Sequence, residues 1–164
     1  MAPSEVVRPK LDIVDEFKNV VATLTQAKLE FALCGGFAVV IYGYIRATKD
    51  IDLLVEEARV EPVFSALKTL GFTLRAGPIG FGAGTAHERT LYRATKVVEH
   101  EHLTIDLLVV TPVFADVWAN RGRIEWSGLT IDIVSKEGLA TMKRLAGRKQ
   151  DLADLEALGL PETI

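Results

Sequence analysis

Lys49-Asp50-Ile51-Asp52-Leu53-Leu54-Val55 sets acids against apolar bulk in alternation, and that alternation decides the fold. In a strand, residues two apart face the same side. Asp50 and Asp52 then share one face, their backbones about 6–7 Å apart. Ile51, Leu53 and Val55 turn the other way, into a core. Two carboxylates side by side repel each other and favour a cation between them. Mg²⁺ takes hard oxygen ligands and keeps positions open for substrate phosphates.

A third acid, Asp106, interrupts Leu103-Thr104-Ile105-Asp106-Leu107-Leu108-Val109-Val110, one of the most apolar stretches of the chain. A lone buried carboxylate is costly or is forced neutral, and a nearby metal relieves that cost. If this strand lies beside the Asp50/Asp52 strand, three acids gather at one edge of a sheet. A plainer alternative stays open: Asp50 caps its strand, Asp52 pairs with Arg46 or Lys49, and Asp106 meets a basic side chain. An isolated Asp-x-Asp carries little information.

Upstream, Phe31-Ala32-Leu33-Cys34-Gly35-Gly36-Phe37-Ala38 reads as strand, double glycine, helix. Glycines let a phosphate approach the backbone, and a helix N-terminus offers free N–H groups. A tight strand-to-helix turn that binds nothing has the same pattern. The helix is expected over 37–42.

The rest of the chain falls around these segments. Apolar residues at helical spacing (Leu11, Val14, Phe17, Val21, Leu24) predict an amphipathic helix to about Ala27. A helix is expected over 61–70, closed by Gly71, and a strand over 72–75. Ala76 to Ala86 holds four glycines and Pro78, so it is neither helix nor central strand and is expected to be a mobile loop. Hairpins are expected over 87–110, turning at Val98-Glu99-His100-Glu101, and over 124–133, turning at Ser127-Gly128. A short helix should follow Pro112, and two more should fill about 135–146 and 149–158. Early alternation of helix and strand followed by hairpins gives an α/β (α+β) class, a mixed β-sheet flanked by helices. Residues 1–10 are expected to be a flexible arm and 11–164 a single domain.

The chain has 164 residues, 49% hydrophobic and 25% charged, enough for one cored domain. Its net charge of −3 argues against non-specific nucleic-acid binding, although one local basic groove is compatible with it. Cys34 is the single cysteine, which excludes an internal disulfide and suits a reducing cytoplasm. Neither a signal-like N-terminus nor a membrane-spanning run is evident, so a soluble, intracellular protein with no membrane partner is expected.

Taken together, Leu33-Cys34-Gly35-Gly36-Phe37-Ala38, then Arg46-Ala47-Thr48-Lys49-Asp50-Ile51-Asp52, resembles the signature of the nucleotidyltransferase superfamily, with the DNA polymerase β palm fold. The ending Met142 to Leu155, with Lys143 and Asp151, is similar to the closing helices of minimal toxin-type and aminoglycoside- or lincosamide-type members. The resemblance implies transfer of a nucleoside monophosphate from an NTP to a hydroxyl, with release of pyrophosphate. It implies that Asp50, Asp52 and Asp106 hold Mg²⁺ (or Mn²⁺) and that Asp106 acts as base toward the acceptor. Gly35 and Gly36 would meet the phosphates, Arg46, Thr48, Lys49 and Lys143 would line the nucleotide, and Asp151 would follow as a further acid. Each cation also has a plain reading, as charge balance for the acids or as a solvated helix end. The frequent Ser after the first glycine is replaced by Gly36. The acceptor is left open among an RNA end (tRNA), a protein and a small molecule. A partner protein or a homodimer would complete it. The competing reading is a non-catalytic binding module, one half of a toxin–antitoxin-type pair. His100-Glu101-His102, Trp118 and Trp126 are read as solvated or packing residues.

Overall fold

The computed structural model describes residues 10–163. Most of the expected 1–10 arm therefore lies outside the described residues. Seven strands form one mixed sheet in the order β3-β4-β5-β2-β1-β7-β6. The strands are β1 (Ala32–Cys34), β2 (Asp50–Val55), β3 (Leu74–Phe81), β4 (Arg89–Val98), β5 (Glu101–Val109), β6 (Gly122–Trp126) and β7 (Leu129–Ile133). The helices are α1 (Ile13–Gln26), α2 (Gly35–Ile41), α3 (Val60–Lys68), α4 (Ala115–Ala119), α5 (Lys136–Ala146) and α6 (Lys149–Ala157). The mixed sheet flanked by helices is the expected class.

Asp12 starts α1: its carboxylate accepts from the N–H groups of Val14 and Asp15, two of the free donors at the helix end. The apolar stripe of α1 (Phe17, Val20, Val21, Leu24) is buried. Phe17 packs on Phe37 and on Trp126, a partly buried ring laid against the core. Glu16 of α1 accepts a hydrogen bond from Lys96, and Phe64 of α3 meets Tyr92 edge-on. Lys96 and Tyr92 lie on the sheet face opposite Asp106, because alternate residues of β4 oppose alternate residues of β5. Helices α1 and α3 thus cover one face, and the acids occupy the other.

Two expectations are corrected. The glycine-rich stretch from Ala76 does not form a loop along its whole length: Leu74–Phe81 is a strand paired with β4 on one side only. An edge strand needs one partner, so glycine and proline are tolerated there, and the register shift between Ala76 and Ile79 absorbs Gly77 and Pro78. The shift and the proline also blunt the open edge against further strand pairing. Gly77 has φ +104°, and a Cβ there would sit 2.8 Å from the Leu91 carbonyl oxygen. The strand expected over 72–75 accordingly begins at Leu74, after buried Phe72. The second correction is to α2, which starts at Gly35 and not at Phe37, so both glycines belong to its first turn.

Candidate active site

The site forms where β2 and β5 run parallel. In that pair Asp52 stands directly opposite Asp106, and Asp50 opposite Thr104. Adjacent strands lie about 4.8 Å apart, so register and alternation put all three acids on one face. Cys34, at the end of β1, opposes Asp52 from the other side. The Gly35–Gly36 turn follows immediately. Gly35 has φ +67°, a conformation that suits glycine, and lies against the Asp52 carboxylate. A Cβ on Gly36 would come within 2.7 Å of Arg46 Nη2 and 2.9 Å of Thr48 Oγ1. Arg46 and Thr48 therefore pack on the turn.

Burial, together with Asp106 and Asp50, pushes the Asp52 carboxyl up to about 7. Asp50 is raised too, by burial first and then by Asp106, against the pull of Arg93 and other cations. Burial also raises the Cys34 thiol, with Asp52 adding to it, so Cys34 is an inert core residue.

Arg93 on β4 stands opposite Asp106 and donates from Nε to Oδ1 at 2.8 Å and from Nη2 to Oδ2 at 3.1 Å. Asp106 thus meets a basic side chain, as the plainer alternative held, but Asp52 pairs with neither Arg46 nor Lys49. As the side chains stand, no three of the His, Cys, Asp and Glu residues described are grouped to hold a metal ion. The donor set nonetheless fits a hard divalent ion: three carboxylates on adjacent strands share a face, and their mutual repulsion is only partly offset.

The remaining expected site residues separate into two groups. Lys49 is exposed at the head of β2. Arg46 and Lys143 are engaged elsewhere. Arg46 donates from Nε and Nη2, each at 2.8 Å, to the two carboxylate oxygens of Asp154. Lys143 is buried and lies 3.1 Å from Asp151 Oδ1 and 2.9 Å from Asp154 Oδ2. Arg148 caps the start of α6 through Asp151, with Nε 2.7 Å from Oδ2. Asp151 is thus joined to Lys143 and Arg148, whereas Asp50, Asp52 and Asp106 are reached by neither Arg46 nor Lys143 through a hydrogen bond.

Sequence reasoning missed Arg93, Asp154 and Arg148. Arg93 could be found only from the β4–β5 register. Asp154 lies on the helix after that of Lys143 but meets Arg46, 108 residues away in the chain. Arg148 is mostly solvent-exposed, yet its charge reaches Asp50 and Asp52 and offsets part of their upward shift.

On the acid-bearing side, β3 and β4 present Leu74, Ile79, Phe81 and Val97, all exposed. Their partners are Thr95, Leu91, Arg89 and His102, which share the face of Asp106. The floor beside the third acid is therefore open, with exposed apolar side chains set among Arg89, Arg93, Thr95 and His102. A cavity of about 470 Å³ lies at the other end of the sheet, lined by residues such as Lys28, Arg59, Arg123 and Asp132.

Residues 9–164 match the family described as nucleotidyltransferase of unknown function (DUF6036), and the chain belongs to that family. No curated protein matches it in sequence. Among solved structures it is similar to a Thermotoga maritima protein assigned as a nucleotidyltransferase. The two are 13% identical with a TM-score of 0.60, over 93% of this chain and 94% of the other. It is similar to the lincosamide antibiotic adenylyltransferase LnuA bound to lincomycin (17% identity, TM-score 0.56, 88% and 95% covered). It is also similar to ANT(2")-Ia in complex with adenylyl-2"-tobramycin (14% identity, TM-score 0.58, 88% and 86% covered). At these identities the shared feature is the nucleotidyltransferase fold. No helix among the described residues is long and apolar enough to cross a membrane.

Proposed function

We propose, taking membership of that nucleotidyltransferase family as the premise, that this protein transfers a nucleoside monophosphate from an NTP to an acceptor hydroxyl, releasing pyrophosphate. The observation that carries the reading is the direct opposition of Asp52 and Asp106 across β2 and β5, with Asp50 on the same face and the Gly35–Gly36 turn beside them. Asp50, Asp52 and Asp106 would hold Mg²⁺ or Mn²⁺. That ion would supply charge neutralisation and polarisation of the phosphates.

The chain's own residues divide the remaining work. The Gly35–Gly36 turn admits the triphosphate close to the backbone. Lys49 and Arg148, exposed at the margins, meet its charge, while Arg46, Thr48 and Lys143 keep the turn and the last helices in register behind it. Asp106 lies on the β4 side of the acid row, away from the turn. It accepts the proton of an acceptor hydroxyl that approaches over β4 and β3. The exposed side chains of Leu74, Ile79, Phe81 and Val97 lie along that approach, interleaved with Arg89 and Thr95. Small molecules of the lincomycin or tobramycin kind, a protein and an RNA end such as tRNA are the acceptor classes to test. A partner protein or second copy would complete a site that is open on this side. The setting we assign is the cytoplasm.

One observation favours a second reading, a non-catalytic binding module in a toxin–antitoxin-type pair: Asp106 is already satisfied by Arg93. Calorimetry with each NTP, with and without Mg²⁺, separates the two. Mg-dependent binding of an NTP supports the enzyme; no NTP binding with Mg²⁺ present supports the module.

A further inference from the structure

Asp106 stands between two unlike neighbours. On one side is Asp52, a second acid; on the other is Arg93, whose fork engages both of its oxygens. Three other cations of this region are hydrogen-bonded to other acids, and Lys49 stays exposed at the margin. Arg46 holds Asp154, Lys143 holds Asp151 and Asp154, and Arg148 holds Asp151. Arg93 is therefore the guanidinium given to the acid row, and Asp106 is its one ion-pair partner among the described residues. Its side chain is 44% exposed, so the guanidinium can leave for solvent, whereas Asp106, only 11% exposed, then needs the incoming ion as its partner.

We propose that Arg93 is a positioning residue that holds Asp106 while the site is empty of metal and competes with a divalent ion for it. A bidentate guanidinium takes one lone pair of each carboxylate oxygen. Its charge also opposes a dication a few ångströms away. A free divalent ion must displace the fork or accept Asp106 through the lone pairs that are left. An ion arriving already bound to an anionic triphosphate brings negative charge that offsets Arg93 and offers it another partner. The site then loads as the NTP complex in preference to the bare ion. The catalytic consequence rests on the nucleotidyltransferase reading. The competition between fork and ion does not, and it can be measured with no nucleotide present.

The test is Mn²⁺ alone, titrated into the full chain by calorimetry and by electron paramagnetic resonance. Arg93→Met removes the charge and the fork, and Arg93→Gln does the same with a polar side chain if the first variant melts early. Arg75→Met is the control, since Arg75 lies on the opposite sheet face and pairs with exposed Glu61. The expected result is tighter Mn²⁺ binding by the Arg93 variants, by at least about fivefold, with Arg75→Met unchanged. Equal or weaker binding by both Arg93 variants, or binding by none of the proteins, overturns the proposal. A failure of nucleotidyl transfer in every protein would count against the enzymatic reading and leave the metal series intact.

Discussion

Gly35 stands so close to Asp52 that a methyl group in place of its hydrogen would overlap the carboxylate. The glycine also has φ +67°, which costs an L side chain about 1 kcal/mol before any clash. Gly35→Ala should therefore lower stability by about 2 kcal/mol or more, a fall in Tm of about 4–8 °C for a domain of this size. It should weaken NTP binding further by displacing Asp52. Thermal melts with and without nucleotide read both effects; a variant that melts and binds like wild type would remove the reason given for the double glycine.

The Arg46–Asp154–Lys143 cluster ties the segment before β2 to the last two helices. Asp154 is fully buried and faces both cations. Asp154→Ala leaves Arg46 and Lys143 without it and should cost about 3–5 kcal/mol. Arg75→Ala, which breaks an exposed pair with Glu61, should cost much less. Urea melts of the two variants should rank in that order.

Acid should loosen the same cluster. Burial by itself would raise Asp151 and Asp154, but hydrogen bonds from Arg148, Arg46, Lys143 and Gln150 more than offset it and hold both carboxyls below their ordinary value. Their folded values lie below the unfolded ones. The stabilisation is thus complete above the usual carboxylate range and is lost as pH falls through the depressed values. Asp52 has the opposite sign. Its folded value, about 7, lies above the ordinary carboxyl value of 3.8. Its contribution is complete below the unfolded value and fades as pH rises through 7. Metal-free protein should therefore be most stable in mildly acidic solution. Asp52→Asn should flatten the alkaline side only, melting above wild type at pH 8. Tm measured across pH 3 to 9 checks both limbs; parallel alkaline limbs for wild type and Asp52→Asn would contradict the assignment of the shift to Asp52.

These predictions draw on features with different visibility in the sequence. The alternation around Asp50 and Asp52 fixes β2 residue for residue, because one face of that strand is wholly apolar. Asp106 is conspicuous because a charge in so apolar a strand needs a reason. Arg93 is not, since a basic residue on a half-exposed strand is ordinary until the register sets it opposite Asp106. Asp154 is similarly hidden: an acid in the middle of a short, charged helix looks solvated, and only tertiary packing brings Arg46 to it. The glycines from Gly77 onward argue against a central strand. They say nothing against an edge strand, whose outer side needs no partner.

The exposed floor offers a test of acceptor approach. Ile79→Ser with Phe81→Ser removes edge-strand side chains that are 36% and 46% exposed, so the loss should be modest, about 1–2 kcal/mol or a fall in Tm of about 2–8 °C. Acceptor labelling should fall severalfold while NTP affinity stays as in wild type. Unchanged labelling would move the acceptor away from β3.

The most direct measurement of nucleotidyl transfer is incubation of the protein with each α-³²P NTP, Mg²⁺ and a cell extract, beside Asp52→Asn at equal concentration. The expected result is one labelled class of acceptor with wild type, none with the variant, and superimposable circular dichroism for the two proteins. Undiminished labelling by Asp52→Asn, or no labelled product with any NTP from a protein that binds NTP and Mg²⁺, would contradict it.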